Sequence, residues 1–266
     1  MLKLKYLLVL LSVTILTSCS QYHQVLNKGS LSDKYKMATE MYEAKNFNKS
    51  LRLFEMITSA YKGKPQMERI QFMIAQSYFN TKDYANAAYY FEKFTNNYPN
   101  SSKREEASFN GAKCQFLASP KYSVDQTVTK EALVAFQRYI NTYPDSERLQ
   151  EANEMVNQLQ YKLETKAFNI AKQYYDIGYY TSAVVAFDNM ISKYFGTVYR
   201  EEVFFYKFKS AYELSVRSAI TKKYKRLVDA EKAYNKLEKN YPESKYLKES
   251  QSLLKKVQEE IALILS

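Results

Sequence analysis

The sequence predicts an all-α fold: an α-solenoid of about five helical hairpins with a C-terminal capping helix. Three observations carry this expectation. Gly and Pro together number ten in 266 residues, roughly 4% against a usual ~12%, too few to punctuate a β-sandwich or propeller. Apolar residues between the few breakers recur at three- and four-residue steps, the period of an amphipathic helix. A pattern of aliphatic, small and aromatic residues also returns several times along the chain.

Composition narrows the chemistry before any element is placed. Hydrophobic residues make up 46% and aromatics 15%, with 26 Tyr, 15 Phe and no Trp, which is too apolar for a disordered chain. His23 is the single histidine, and Cys19 and Cys114 are the two cysteines. A zinc site, a Cys–His nucleophile or a Ser–His–Asp triad needs residues this chain barely has. The expectation is a non-enzyme with no metal and no cofactor. The net charge of +11 could suggest nucleic acid, but lysines are interspersed with glutamates, as at Lys255-Lys256 and Glu259-Glu260. A solvated basic surface near anionic lipid is the expected reading, with no nucleic-acid partner.

Residues 1–18 read as a signal peptide. Lys3 and Lys5 form a positive start, and Tyr6 to Leu16 is an apolar stretch of eleven, short of the roughly 20 residues needed to cross a bilayer. Leu16-Thr17-Ser18-Cys19 resembles the bacterial lipobox, which implies cleavage before Cys19 and lipid attachment there, several acyl chains anchoring far more firmly than one. Cleavage would leave 266 − 18 = 248 residues. In lipoproteins resembling this one, Ser20 with no acidic cluster after it implies sorting to the periplasmic face of the outer membrane. Residues 19–32 read as a polar lipidated tether containing a solvated His23. With Cys19 acylated, Cys114 has no disulfide partner and is expected in the core.

The repeats begin after residue 33. The second is clearest: Gln71, Ile74, Ala75 and Tyr78, then Ala87 and Phe91, then Pro99. This is the tetratricopeptide spacing over about 34 residues. The first fits with Met37, Ala38, Met41, Ser50 and Phe54; the third with Gly111, Cys114, Ala132, Phe136 and Pro144. The fourth has Ile170, Ala171, Tyr174, Ala183 and Phe187, with Phe195 in the proline position. The fifth has Phe208, Tyr212, Ala230, Tyr234 and Pro242, with Lys209 where a small residue belongs. Repeats three and five are longer, and the extra residues are expected in the helix–helix connection. Similar turns recur at Lys45-Asn46-Phe47, Lys82-Asp83-Tyr84 and Gly178-Tyr179-Tyr180. Closures recur at Tyr98-Pro99, Tyr143-Pro144 and Tyr241-Pro242. In each, proline stops one helix and the serine two residues later is placed to cap the next; Ser102 and Glu105 have capping-box spacing.

Leu149, Ala152, Val156, Leu159, Leu163, Ala167, Ile170 and Tyr174 follow one another without a breaker, predicting a single long helix over 147–177. Tyr246, Leu253, Val257, Ile261 and Leu265 predict the capping helix. The organisation expected is therefore 33–146 for repeats one to three and 147–266 for the long helix, repeats four and five and the cap. Groove-facing positions of the first two repeats include Tyr35, Tyr42, Arg69, Phe72, Gln76 and Phe79. An aromatic groove with an arginine suits an extended peptide with aromatic side chains and a terminal carboxylate.

The lipobox, the five repeats, the long connections in repeats three and five and the Tyr-Pro-x-Ser closures in this order resemble the BamD family, the lipoprotein subunit of the bacterial β-barrel assembly machinery. The resemblance covers residues 16–245 and is carried by stretches such as Glu106 to Phe116, Ala132 to Ser146 and Ala171 to Asn189. Phe195, Lys209 and the aromatic, basic composition depart from it. It implies a lipid-anchored protein on the periplasmic face of the outer membrane. It also implies docking on the POTRA domains of a BamA-like barrel protein through the C-terminal repeats, and reception of unfolded β-barrel precursors by the N-terminal ones. Arg200 is the candidate contact for the POTRA partner. Two rivals follow from the residues: another periplasmic tetratricopeptide scaffold of cell-envelope complexes, and a lipid-anchored hydrolase or glycan binder, for which no carboxylate pair stands out.

Overall fold

A computed structural model describes residues 21–266; the signal peptide and Cys19 lie outside the described residues. Among those described, every regular element is helical. Two compact units form: one takes in Thr127–Val156 and the described residues up to Pro120, the other Lys121–Gln126 and Asn157–Ser266.

The first unit opens with α1 (residues 21–28), then stacks three hairpins. These are α2 (Leu31–Glu43) with α3 (Phe47–Ile57), α4 (Gln66–Asn80) with α5 (Tyr84–Asn97), and α6 (Arg104–Ala118) with α7 (Thr127–Thr142). The spacing that predicts tetratricopeptide packing is realised in the core. Ala38, Ala75, Ala87 and Ala132 have no exposed surface, and neither do Phe54, Phe91 and Phe136. Gly111 takes the small position of α6, where an added Cβ would meet the Phe91 Cβ at 3.3 Å. Small residues let paired helices approach, and the phenylalanines fill the space beside them. Cys114 is fully buried, and burial pushes its thiol up to about 12. It is the inert core residue the sequence predicts.

Helix α8 (Leu149–Asp176) runs 28 residues as one element, close to the expected 147–177. In the second unit its latter half packs with α9 (Tyr180–Lys193), followed by the hairpin α10 (Arg200–Val216) and α11 (Ile220–Asn240) and then α12 (Leu247–Leu265). Ala171, Ala183, Phe187 and Ala230 are fully buried, but Ile170 and Tyr174 are 42% and 38% exposed. The face of α8 that meets α9 is Phe168–Ala171–Tyr175, offset from the expected one. The fifth repeat closes regularly because buried Ser210 and Ala211, not Lys209, supply its small residues. Lys209 reaches out to Glu249 Oε1 at 2.7 Å. Its extra length also differs from expectation: only 217–219 separate α10 from α11. With no glycine or proline between Phe208 and Tyr241, the added residues lengthen the helices themselves, whereas repeat three does have a long connection at 119–126. Val257, Leu253, Ile261 and Ile264 of α12 cover the α10–α11 core as a cap; Leu265 is 69% exposed and does not join it.

The tether expected at 19–32 is not what residues 21–32 form. Tyr22 and Leu26, one turn apart on α1, are each 3% exposed and belong to the core of the first hairpin. The Tyr22 hydroxyl donates to the Lys49 carbonyl at 3.2 Å. Val25 packs against the same core, so Tyr22, Val25 and Leu26 stand at helical spacing, but one such set in an otherwise polar stretch does not recur as a period. His23 is exposed, as expected.

The recurring interhelical turns share one backbone feature. Lys45, Lys82 and Gly178 have φ of 60°, 63° and 83°, left-handed conformations that favour glycine. Only the fourth repeat uses one there. Lys82→Gly is expected to raise unfolding free energy by about 0.5–1 kcal/mol, the side-chain strain relieved exceeding the entropy gained by the unfolded chain; denaturant titration checks this.

The closure serines work differently from simple caps. Ser146 Oγ accepts from Arg148 N at 3.1 Å and donates to Glu105 Oε1 at 2.6 Å. Ser244 likewise accepts from Tyr246 N and donates to Glu201 at 2.6 Å. Each serine thus shapes the turn before a helix and ties it back to the first turn of the preceding hairpin. Glu105, expected in a capping box with Ser102, serves this clamp instead. Hydrogen bonds from Ser146 and Tyr139, and the Arg148 charge, hold its carboxyl below the ordinary 4.5. A depressed folded value gives stability that is present above pH 4.5 and lost as pH falls through the folded value. Glu105→Gln is therefore expected to lose stability at neutral pH and to show a shallower acid decline than the parent, read from melting temperature against pH.

Candidate functional site

The candidate site is a cleft of about 470 Å³ in the first unit, between the end of α2, the first half of α4, the end of α5 and the start of α6. Its wall is Phe72, backed by Phe94 at 5.3 Å and Phe91 at 6.2 Å between ring centroids. Tyr42, Met73 and Phe94 complete the apolar lining, and Pro65 shapes the rim. These residues converge because α2 and α4 are the first helices of adjacent hairpins, and Lys103 arrives from the closure loop that begins the third.

The polar side holds two cations and their partners. Lys103 Nζ lies 5.5 Å from the Phe72 ring centroid and 2.9 Å from Glu106 Oε2. Gln76 donates to the other oxygen of Glu106 at 3.2 Å. Arg69 stands 3.7 Å from Glu43 with both side chains more than half exposed, a pair worth little in water and easily exchanged. Burial raises the Tyr42 hydroxyl above its ordinary value, with the Glu106 carboxylate adding to this and Arg69 opposing it. Tyr42 therefore stays a neutral donor at physiological pH. Such a cleft can seat an aromatic side chain against Phe72. It can pair a carboxylate with Arg69 or Lys103 in exchange for Glu43 or Glu106.

Of the six groove positions expected, Tyr42, Arg69 and Phe72 line the cleft, and Gln76 supports it through Glu106. Tyr35 and Phe79 lie elsewhere: Tyr35 stacks on Tyr61 at 5.6 Å, and Phe79 packs edge-on against Tyr84 at 6.0 Å. Lys103, Glu68 and Phe94 escaped the sequence reading. Lys103 and Phe94 come from outside the first helices of the hairpins, and only the stacking brings them to Phe72. A larger groove of about 670 Å³ lies over α6 between α5 and α7. Ala107, Ser108, Gly111 and Ala112 make its floor, Arg104, Lys130 and Arg138 are among its polar lining, and Tyr143 is its single aromatic, so it offers an aromatic side chain less ring surface than the Phe72 cleft.

In the second unit, Arg200 begins α10. Its guanidinium sits 4.4 Å from the Phe195 ring centroid and 5.4 Å from that of Phe204, and its Nη1 donates to the Phe195 carbonyl at 3.0 Å. Phe195, in the closure position where other repeats have proline, is 79% exposed, and Val198 beside it 74%. The arginine is thus pinned beneath a displayed phenylalanine, a pairing typical of residues that anchor protein interfaces.

The described residues contain no group of His, Cys, Asp and Glu that could hold a metal ion. None of the helices among them is long and apolar enough to cross a membrane.

Comparison with known proteins places this architecture. Residues 27–227 match the family model YfiO, described as an outer membrane lipoprotein. A relative from Aquifex aeolicus (strain VF5), named for the outer membrane protein assembly factor BamD, is 32% identical over 207 residues. That alignment covers 75% of this chain and 66% of the relative, so the chain spans just under two thirds of the relative's length.

Proposed function

The chain belongs to the BamD-like family of outer membrane lipoproteins, and from that premise we propose that it is a non-catalytic, lipid-anchored scaffold of outer-membrane protein assembly. Cys19 carries the lipid, and the body faces the periplasm. The first unit receives the C-terminal, aromatic-ended segment of unfolded β-barrel precursors. The second unit docks on the POTRA domains of a BamA-like protein. The observation that carries the reading is the cleft in which Phe72 and Tyr42 stand beside Arg69 and Lys103. It offers an apolar slot and exchangeable cations within one site, which suits binding, orientation and local concentration rather than bond making.

For the second unit, support comes from Phe195 and Arg200. Phe195→Ala is expected to weaken partner binding about 30-fold, since interface aromatics that act as hot spots contribute about 2 kcal/mol or above. Arg200→Glu is expected to do the same, while α10 still folds. Affinity purification of tagged full-length protein from solubilised membranes, with a Cys19→Ala control, tests the assignment. A stoichiometric barrel protein with POTRA domains supports it. Co-purification of cell-wall enzymes without that partner would favour the other kind of periplasmic scaffold.

A further inference from the structure

We propose that the first hairpin makes a second, electrostatic contact with the bilayer, through a strip formed by Lys45, Lys49 and Arg52 beside α1. The inference rests on the reading that Cys19 carries lipid, and adds what the body does next to that anchor. It starts from the docking of α1. Tyr22 is 3% exposed in the core of the first hairpin, so residues 21–32 are not the free polar tether expected between lipid and body. Only 22 − 19 = 3 residue steps join Cys19 to Tyr22, and three extended residues reach at most about 10 Å. That is close to a physiological Debye length of about 8 Å.

The side chains at this point are basic. Lys49 Nζ lies 5.1 Å from the Tyr22 ring centroid, and the Arg52 charge is felt by the Tyr22 hydroxyl. Lys45 occupies the turn just before α3, and Arg52 follows Lys49 by one turn on the same helix face. None of the three is in an ion pair among the described residues. The acids of α2 and α3 are mostly turned elsewhere: Asp33 to the Ser30 cap, Glu43 to Arg69 and Glu55 to the Tyr78 hydroxyl. Glu40 alone among them has no such partner among the described residues. An uncompensated cationic strip at the emergence of a lipid-bearing segment fits anionic phospholipid headgroups. Each cation near such a surface strengthens attachment roughly fivefold. Together they would hold the first hairpin down rather than let it swing about its anchor.

The test uses acylated full-length protein carrying Asn48→Cys, labelled with bimane and reconstituted into vesicles bearing headgroup nitroxides. Asn48 is exposed beside Lys49, whereas the buried Cys114 thiol stays unlabelled. Expected is strong quenching in phosphatidylglycerol-rich vesicles, falling severalfold in phosphatidylcholine, in high salt, and on Lys45→Glu, Lys49→Glu and Arg52→Glu together. The salt series leaves the protein unmutated and guards against a misfolded variant. If the protein is acylated and floats with the vesicles, but quenching is absent or equal in both lipids, this proposal alone falls. If mass spectrometry finds no lipid on Cys19, the anchor reading falls and takes the proposal with it.

Discussion

Phe91→Ala is expected to lower the unfolding free energy by about 3–5 kcal/mol, the range for truncating a fully buried phenylalanine in a packed core. Phe91 has no exposed surface. It lies between Phe72 and the backbone of Gly111, which has no side chain to collapse into the space. Neighbouring rings are held in edge and tilted contacts that cannot follow a removed benzyl group without losing their own partners. Small domains are stable by only about 5–15 kcal/mol in all, so this one change removes a large share of the first unit's stability. Chemical denaturation of parent and variant measures it. The same change should weaken ligand binding, because Phe91 backs the Phe72 wall of the cleft. Phe79→Ala makes a useful contrast: its ring is only partly buried, at the α4–α5 corner, so it should cost less stability and leave the cleft's affinity nearly intact.

The second large effect concerns recognition. Phe72→Ala is expected to reduce affinity for an aromatic-ended precursor peptide about 30-fold or more, the usual consequence of removing a central aromatic anchor. Because Phe72 is only partly buried, the variant should remain folded, and circular dichroism provides that check. Charge reversal at Lys103 should act in the same direction by a different route. It removes the cation over the Phe72 ring and frees Glu106 to repel a carboxylate. Arg69→Glu should be milder in stability than in binding, since its pair with Glu43 is solvent-exposed. Fluorescence anisotropy with a labelled peptide separates these contributions.

Much of the fold was legible because packing follows the repeat. Ala38, Ala75, Ala87, Phe54 and Phe91 are buried where the spacing places them. The long helix α8 is readable because no breaker interrupts it. What failed did so for physical reasons. The docking of α1 rests on Tyr22, Val25 and Leu26, a single i, i+3, i+4 set in a helix too short for the pattern to recur. The lengthening of α10 and α11 depends on where the turn at 217–219 falls, which a chain without glycine or proline there does not mark. The closure serines look like caps because each follows a Tyr-Pro stop, yet Ser146 and Ser244 sit three residues before the next helix begins, and their hydroxyls reach Glu105 and Glu201 of an earlier hairpin. The cleft was half legible. Tyr42, Arg69 and Phe72 lie on the first helices of their hairpins, as the repeat register requires. Lys103 and Phe94 join them only through stacking of one hairpin on the next, a relation no single repeat contains.

The central claim is that this cleft receives the aromatic carboxylate end of a barrel precursor. The most direct measurement titrates the full-length protein with one such peptide in two forms, a free C-terminal carboxylate and its amide. The account predicts tighter binding of the free acid, a preference that shrinks with Arg69→Glu and Lys103→Glu, and loss of affinity for both forms with Phe72→Ala. Equal affinity for acid and amide, unchanged by all three substitutions, would contradict it.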